Sequence, residues 1–244
     1  MSITKLHVGE TAEILEEIRP GIEQSSSLQA ALQTLTSTLM QDYADSVALV
    51  RAFVTVSFDT LPASKKQFVQ NIVNDVPNVD TIPDDTPVLS LLATSGQEPD
   101  WNDVDKSERH TGIPLMSDKF VKEIPMVSRL LTDLGIAADL GVDEGSTYSD
   151  DPQDIVRTFY VRDALTDADA LGRKVIVNQE FVEQYGIKTV FGGGGAYPNF
   201  PHSVLALIFF TKEHVERDVA TAFEPFIASV QAITERFLAD NRVF

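Results

Sequence analysis

The stretch IKTVFGGGGAYPNFPHSVLALIFF, residues 187–210, decides how the chain is read. Ile187 to Gly195 has strand character, Ala196 to His202 reads as a turn, and Ser203 to Phe210 is a second apolar run of strand length. Two such runs make an antiparallel hairpin. The chain beyond Phe210 is helical. Val215, Val219, Phe223, Phe226, Val230, Ile233 and Phe237 recur at spacings of 4, 4, 3, 4, 3 and 4, which is one sustained apolar seam. Pro225 lies within it, and a mid-helix proline costs about 3 kcal/mol, so a kink or a break is expected there.

Upstream of the hairpin, Asn178 to Tyr185 fits a short helix ended by Gly186, Asp163 to Lys174 looks irregular, and Thr158 to Val161 is a strand. Asp139 to Asp154 reads as a long acidic loop. Ser117 caps a helix reaching Leu134, which Pro125 divides and Gly135 stops. Val88 to Ala93 is a buried strand ending at Ser95-Gly96. Val47 to Phe58, with Val50, Ala52, Val54 and Val56 in alternation, is another, stopped by Pro62. A short helix spans about Ser64 to Val73. The N-terminus reads as two helices. Pro20-Gly21 ends the first, and Ser25-Ser26-Ser27 caps the second, whose Leu28, Leu32, Leu35 and Leu39 share one face. Helices, strands, helix, strands, helix is an α+β order: an antiparallel sheet with helices gathered to one face or end. Residues 1–44 carry the N-terminal helices and 45–244 the sheet, with no linker between them, so one compact unit is expected.

The chain has 244 residues, 43% of them hydrophobic, enough for a real core and against disorder. Lys and Arg number 19 against 37 Asp and Glu, a net charge of −18. That field repels nucleic acid and anionic membranes, so neither is expected as a partner. No run approaches the ~20 apolar residues that span a bilayer, and residues 1–6 lack a signal-peptide core, which makes a cytoplasmic protein the expectation. Cysteine is absent, removing disulfides, thiol catalysis and zinc fingers together. From Gln67 to Asp105 there is no Lys or Arg; the acids there read as solvated loops around a buried strand.

Motifs for catalysis are missing. The run Gly192 to Gly195 is followed by a strand, and no Gly-Lys-Ser/Thr comes after it, so a phosphate cradle does not fit. The glycines read instead as a strand end where side chains must be absent, for backbone approach or for a ligand. His7, His110, His202 and His214 include no metal-binding pair, and Asp103, Asp105, Glu108 and His110 miss the EF-hand pattern. No cofactor is indicated, and a non-enzyme is expected. Trp101, the only Trp, sits in a polar loop and reads either as a lid packed on the core or as the rim of a pocket. His110 to Leu115 would pass beneath it as a strand.

The segment Phe181–Gly192, the hairpin and the closing helix resemble the end of a GAF domain, a small-molecule sensor module. Leu89–Asp103, Ser107–Leu115 and Pro125–Leu131 resemble a divergent GAF-like subfamily found beside bacterial histidine kinases. The resemblance covers about residues 45–238. It implies an α+β, GAF/PAS-like fold, a central antiparallel sheet with N- and C-terminal helices packed on one face, and a cytoplasmic sensory or regulatory module acting without an output domain of its own. A histidine kinase or another signalling protein is the implied partner, and a small molecule the implied ligand. Cysteine absence excludes a thioether-linked bilin. The ligand is expected between the sheet and Trp101–Leu115, on Trp101, Asn102, His110, Phe191 and Tyr197. The leucine face at 28–39 and the Val215–Phe237 seam offer a homodimer bundle or simply cover the sheet. Two other classes compete: an enzyme using acids near Asp100–Glu108 with a divalent metal, and a scaffold that binds only protein.

Overall fold

A computed structural model describes residues 2–6, 8–74, 81–107, 111–136 and 156–244. The loop expected at Asp139–Asp154 lies outside these residues, as does His110. The helices are α1 (Val8–Gln24), α2 (Leu28–Asp42), α3 (Ala63–Asn74), α4 (Asp118–Lys122), α5 (Pro125–Leu134), α6 (Gln179–Gln184), α7 (Arg217–Thr221) and α8 (Glu224–Ala239). The strands are β1 (Val47–Ser57), β2 (Pro87–Gly96), β3 (Gly112–Pro114), β4 (Arg157–Val161), β5 (Thr189–Tyr197) and β6 (Phe200–Thr211). They form one six-stranded antiparallel sheet in the order β3-β2-β1-β6-β5-β4. The fold is α+β, as the element order implied.

β1 and β6 are the central pair, and their residues alternate between two cores. The alternating set Val50, Ala52, Val54 and Val56 joins Leu205, Leu207 and Phe209 on the first face, under α1, α2 and α8. Leu49 and Phe53 join Ala206, Ile208 and Phe210 on the second face, under α5 and α6. A strand buried on both sides shows a near-continuous apolar run, which is why Val47–Ser57 is so rich in Val, Leu and Phe.

Caps fall where the side chains can make them. Ser27 accepts from the Ala30 amide at the start of α2, Ser117 from Phe120 at α4, and Asn178 from Phe181 at α6. Gly135 and Gly186 take the left-handed conformation that ends α5 and α6 (φ 70° and 64°). Pro225 sits in the first turn of α8, where its missing N–H is one of the helix's unpaired donors anyway; the long seam breaks there into α7 and α8.

Three local expectations are corrected. α1 does not stop at Pro20-Gly21 but continues to Gln24. Ile14, Leu15, Ile18 and Ile22 are all buried, so one apolar stripe crosses the proline and its packing offsets the lost hydrogen bond. The hairpin turn is tighter than Ala196–His202: Tyr197 pairs with Phe200, leaving only Pro198 and Asn199 between the strands. The glycine run consequently lies in the middle of β5, not at its end. Finally, β3 holds only Gly112–Pro114 and pairs with Val88–Ser90, at the opposite end of β2 from Gly96 and Trp101, so it does not pass beneath the tryptophan.

Both apolar seams are consumed within the chain. Leu28, Leu32, Leu35 and Leu39 have no exposed surface, and Phe223, Phe226, Val230 and Phe237 are buried against them or the sheet. Each such side chain contributes about 2 kcal/mol by leaving water. The C-terminal tail closes this layer: the Leu28 and Gln29 amides at the start of α2 donate to the Arg242 and Val243 carbonyls at 2.8 and 2.9 Å.

Candidate functional site

The second face of the sheet can be traced residue by residue from the strand register. One row across it reads Thr94, Arg51, Ile208, Gly192, Phe159; the next reads Leu91, Phe53, Ala206, Gly194, Arg157. Gly192 and Gly194 place no side chain on this face. The reason lies in backbone approach. A Cβ at either position would overlap the carbonyl oxygen of Leu207 or Leu205 in β6. Gly193, turned to the first face, lies under α8, and a Cβ there would come 2.9 Å from the tip of Ile227.

The segment after β2 folds back over one end of this face. Trp101 packs edge-on against Tyr185 and Phe181, with ring centroids 4.5 and 5.4 Å away, and Phe181 in turn meets Phe210. Asn102 fixes the return of the chain: its side-chain oxygen accepts from the Gly96 amide at 3.0 Å, and its amide donates to the carbonyls of Gly96 and Glu98 at 3.1 and 2.9 Å. The Thr94 hydroxyl donates to the Trp101 carbonyl at 2.9 Å, tying the aromatic segment to the Arg51 row.

Arg51 is the anomaly of this face. It is the one charged residue of β1, flanked on its own strand by Leu49 and Phe53. Its Nε is sealed from solvent and has no hydrogen-bond partner, and no ion pair reaches its guanidinium among the described residues. Burial pushes its pKa down to about 10. Thr55 Oγ1, on the same strand and face, is also buried without a partner. Lys65, which is buried where Arg51 is only half-buried, behaves differently. Lys65, on the first-face side, donates to the carbonyls of Leu91 at 2.7 Å and Thr111 at 3.4 Å. Burial pushes its pKa down to about 8 against the opposing field of Asp105.

The residues expected to share one cavity separate. Trp101 packs against the second-face core, and Asn102 beside it is exposed. Phe191 and Tyr197 are fully buried on the first face: Phe191 stacks on Phe209 at 5.0 Å and touches Phe223, and the Tyr197 hydroxyl meets Thr234 at 3.1 Å. The sheet stands between the two pairs. Trp101 is packed on the core as a lid, the first of the two roles its sequence context offered. Asn102 also borders an open groove with Ser37, Met40, Gln41, Ala44 and Ser95 at the edge between α2 and β2. Sequence reasoning passed over Arg51, although the signal was present: a charge at the second-face register of a strand otherwise free of ionisable groups. Among the described residues no group of three or more His, Asp or Glu is placed to hold a metal ion. None of their helices is long and apolar enough to cross a membrane.

No family model matches the chain, and no curated protein matches it. Among solved structures, it is similar to the phycoerythrobilin-bound GAF domain of a cyanobacterial phytochrome, with 14% identity, a TM-score of 0.48, and coverage of 95% of this chain and 97% of that one. It is also similar to the chromophore-binding domain of an unusual bacteriophytochrome from R. palustris, with 10% identity and a TM-score of 0.45, over 96% of this chain and 63% of that one.

Proposed function

We propose that the protein is a GAF-like sensory or regulatory module that binds a small molecule on the second face of its sheet, beside the Trp101 segment, and conveys occupancy to the helices on the first face. The observation that carries this reading is the asymmetry of the two faces. The first is closed by aromatic stacking and by α1, α2 and α8; the second, under α5 and α6, carries on a central strand a half-buried arginine, Arg51, whose Nε is sealed from solvent without a hydrogen-bond partner. The resemblance of residues 45–238 to GAF-like sensors supports the same class. In this reading the module works in the cytoplasm and a histidine kinase or another signalling protein takes up the signal. Phe191 and Tyr197 belong to the relay side, since they touch α8 and its neighbours.

Trp101 supplies the test. As the only Trp in the chain, it makes intrinsic fluorescence a local report on this face. The purified chain is screened against a library of common metabolites, with fluorescence and melting temperature read together. Members that change both are expected, because a ligand bound only to the native state raises stability by mass action. A library in which nothing changes either signal, with stabilisation by divalent metal alone, would move the reading to the metal-dependent enzyme.

A further inference from the structure

We infer that the outer edge of β2, from Thr94 to Gly96, is a docking site for an extended, basic peptide segment of a partner protein, and that the side chains of Gln33 and Asn102 hold its place. This goes beyond the sensory reading above and requires no ligand on the second face.

Residues of an edge strand turn alternately toward the neighbouring strand and away from it, and those turned away need another partner. β3 covers β2 only at Val88–Ser90. Further along, the Gln97 amide turns inward to the Ala48 carbonyl of β1, so Thr94 and Gly96 turn outward. Each is met by a carboxamide. The Thr94 amide donates to Gln33 Oε1 at 3.3 Å, and its carbonyl accepts from Gln33 Nε2 at 3.0 Å. The Gly96 amide donates to Asn102 Oδ1 at 3.0 Å, and its carbonyl accepts from Asn102 Nδ2 at 3.1 Å. An acceptor and a donor at alternate residues are what a further strand would present.

The opposite edge of the sheet uses the same device. On β4 the Tyr160 amide donates to Asp133 at 3.3 Å, and its carbonyl accepts from Arg129 at 3.1 Å. Those two side chains come from α5, whose Leu130, Leu131 and Leu134 are buried in the second-face core, so that edge is shut. The β2 edge differs. Asn102 is exposed and Gln33 half-buried, and beside them runs the open groove of about 330 Å³ walled by Ser37, Met40, Gln41 and Ala44. A peptide backbone there would replace the two carboxamides bond for bond, an exchange close to neutral in free energy.

Charge selects the occupant. The two stretches that build the groove, residues 20–50 and 67–105, contain no Lys or Arg. Asp42 and Asp45 lie either side of Ala44 in the chain, and Glu98, Asp100 and Asp103 either side of Asn102. Lys106 is taken up by Asp100 at 2.6 Å, and Lys212 by the Ala44 carbonyl at 3.0 Å. A second copy of this chain, at −18, would bring like charge to the edge, whereas the lysines of a basic segment meet opposite charge. Met40 and Ala44 suit apolar side chains at the alternate positions of such a segment.

The probe is a short peptide alternating lysine with valine, set against two controls. One is the same peptide N-methylated along its backbone, which keeps the charge and loses the donors; the other carries glutamate for lysine. Calorimetry reads the binding, and NMR on the full chain reads its place. The lysine–valine peptide should bind roughly tenfold or more tightly than either control. The largest shifts should fall on the Thr94 and Gly96 amides and on the carboxamides of Gln33 and Asn102. Gln33→Ala and Asn102→Ala, made separately, should each bind it several-fold more tightly, because nothing then has to be displaced. Equal binding of the N-methylated peptide would reduce the interaction to charge alone and overturn the proposal. So would equal binding of the glutamate peptide, shifts confined to other parts of the chain, or no binding by the native chain and both variants. Self-association of either variant in sedimentation would give the edge to a second copy, and would also overturn it.

Discussion

The hydroxyls of Tyr197 and Thr234 meet at 3.1 Å in the sealed space between β5 and α8. Thr234 gives its own proton to the Val230 carbonyl at 2.7 Å, so Tyr197 is the donor of the pair. This is a side-chain bond from the sheet's hairpin to the closing helix. Burial holds the phenol well above its ordinary pKa, so it stays protonated and able to donate. Tyr197→Phe should cost about 1 kcal/mol of stability, a fall of roughly 2–4 °C in melting temperature for a chain of this length. Thr234→Val should cost a similar amount, and the double variant less than the sum of the two. Additive losses in urea denaturation would mean the two hydroxyls do not interact.

The glycine run should tolerate substitution unevenly. A Cβ at Gly192 or Gly194 overlaps backbone of β6, which cannot retreat without breaking the ladder, whereas at Gly193 its nearest neighbour is the flexible end of Ile227, with the Arg157 carbonyl oxygen in tight contact at 3.0 Å. Gly192→Ala and Gly194→Ala should each cost about 3 kcal/mol or more, and Gly193→Ala distinctly less, within the range for overpacked cores. Equal losses in denaturant titrations of the three variants would sink this ranking.

Lys65 makes stability depend on alkaline pH. In the folded chain its pKa lies at about 8, below the 10.5 of an exposed lysine, so between these values the unfolded chain binds more protons than the native one. Stability should therefore rise with pH across that window. Tyr43 and Tyr197 act the other way: burial raises both, so above about pH 10 the native state keeps protons that the unfolded state releases, and stability falls. Lys65→Met should lose the rise near pH 8–10 and keep the fall. An unchanged slope in chemical denaturation at stepped pH would refute the role given to Lys65.

Asn102 should prove important for holding the Trp101 segment. Asn102→Ala removes one acceptor and the donors that close the chain onto Gly96 and Glu98. A loss of about 1 kcal/mol is expected, the net worth of a typical intramolecular hydrogen bond. Trp101 should also become easier to quench with acrylamide. Unaltered quenching would show that Tyr185 and Phe181 hold the ring without help.

The sequence was most readable where one local rule acts alone. Ser27, Ser117, Gly135 and Gly186 start or stop helices through their own backbone chemistry, and Pro225 divides the terminal seam for the same reason. It misled where packing overrides such a rule. Pro20 reads as a stop, yet Ile18 and Ile22 on either side of it are buried and carry α1 through. The candidate site was half legible. Trp101 and Asn102 were marked by their setting, a lone tryptophan in a polar loop, and Trp101 packs on the second-face core. Phe191 and Tyr197 were grouped with them because the sequence could not say which face of β5 each would occupy. That depends on the register of the hairpin, and the two-residue turn at Pro198-Asn199 sets it. Arg51 was missed because a single charge in an apolar strand forms no motif; only its lack of a partner in three dimensions distinguishes it.

From Gly192 to Gly195 the wall between the two cores is a single layer of peptide. On its α8 side, the Gln231 amide donates directly to the Gly195 carbonyl at 2.7 Å, with nothing interposed. Elsewhere a disturbance must pass through interlocked side chains above and below the strands. Here a shift of the backbone by a fraction of an ångström moves the helix's own hydrogen-bond partner. The bare run is thus the thinnest part of the diaphragm that separates the two halves of the molecule, and the place where displacement on one side is least damped before it reaches the other.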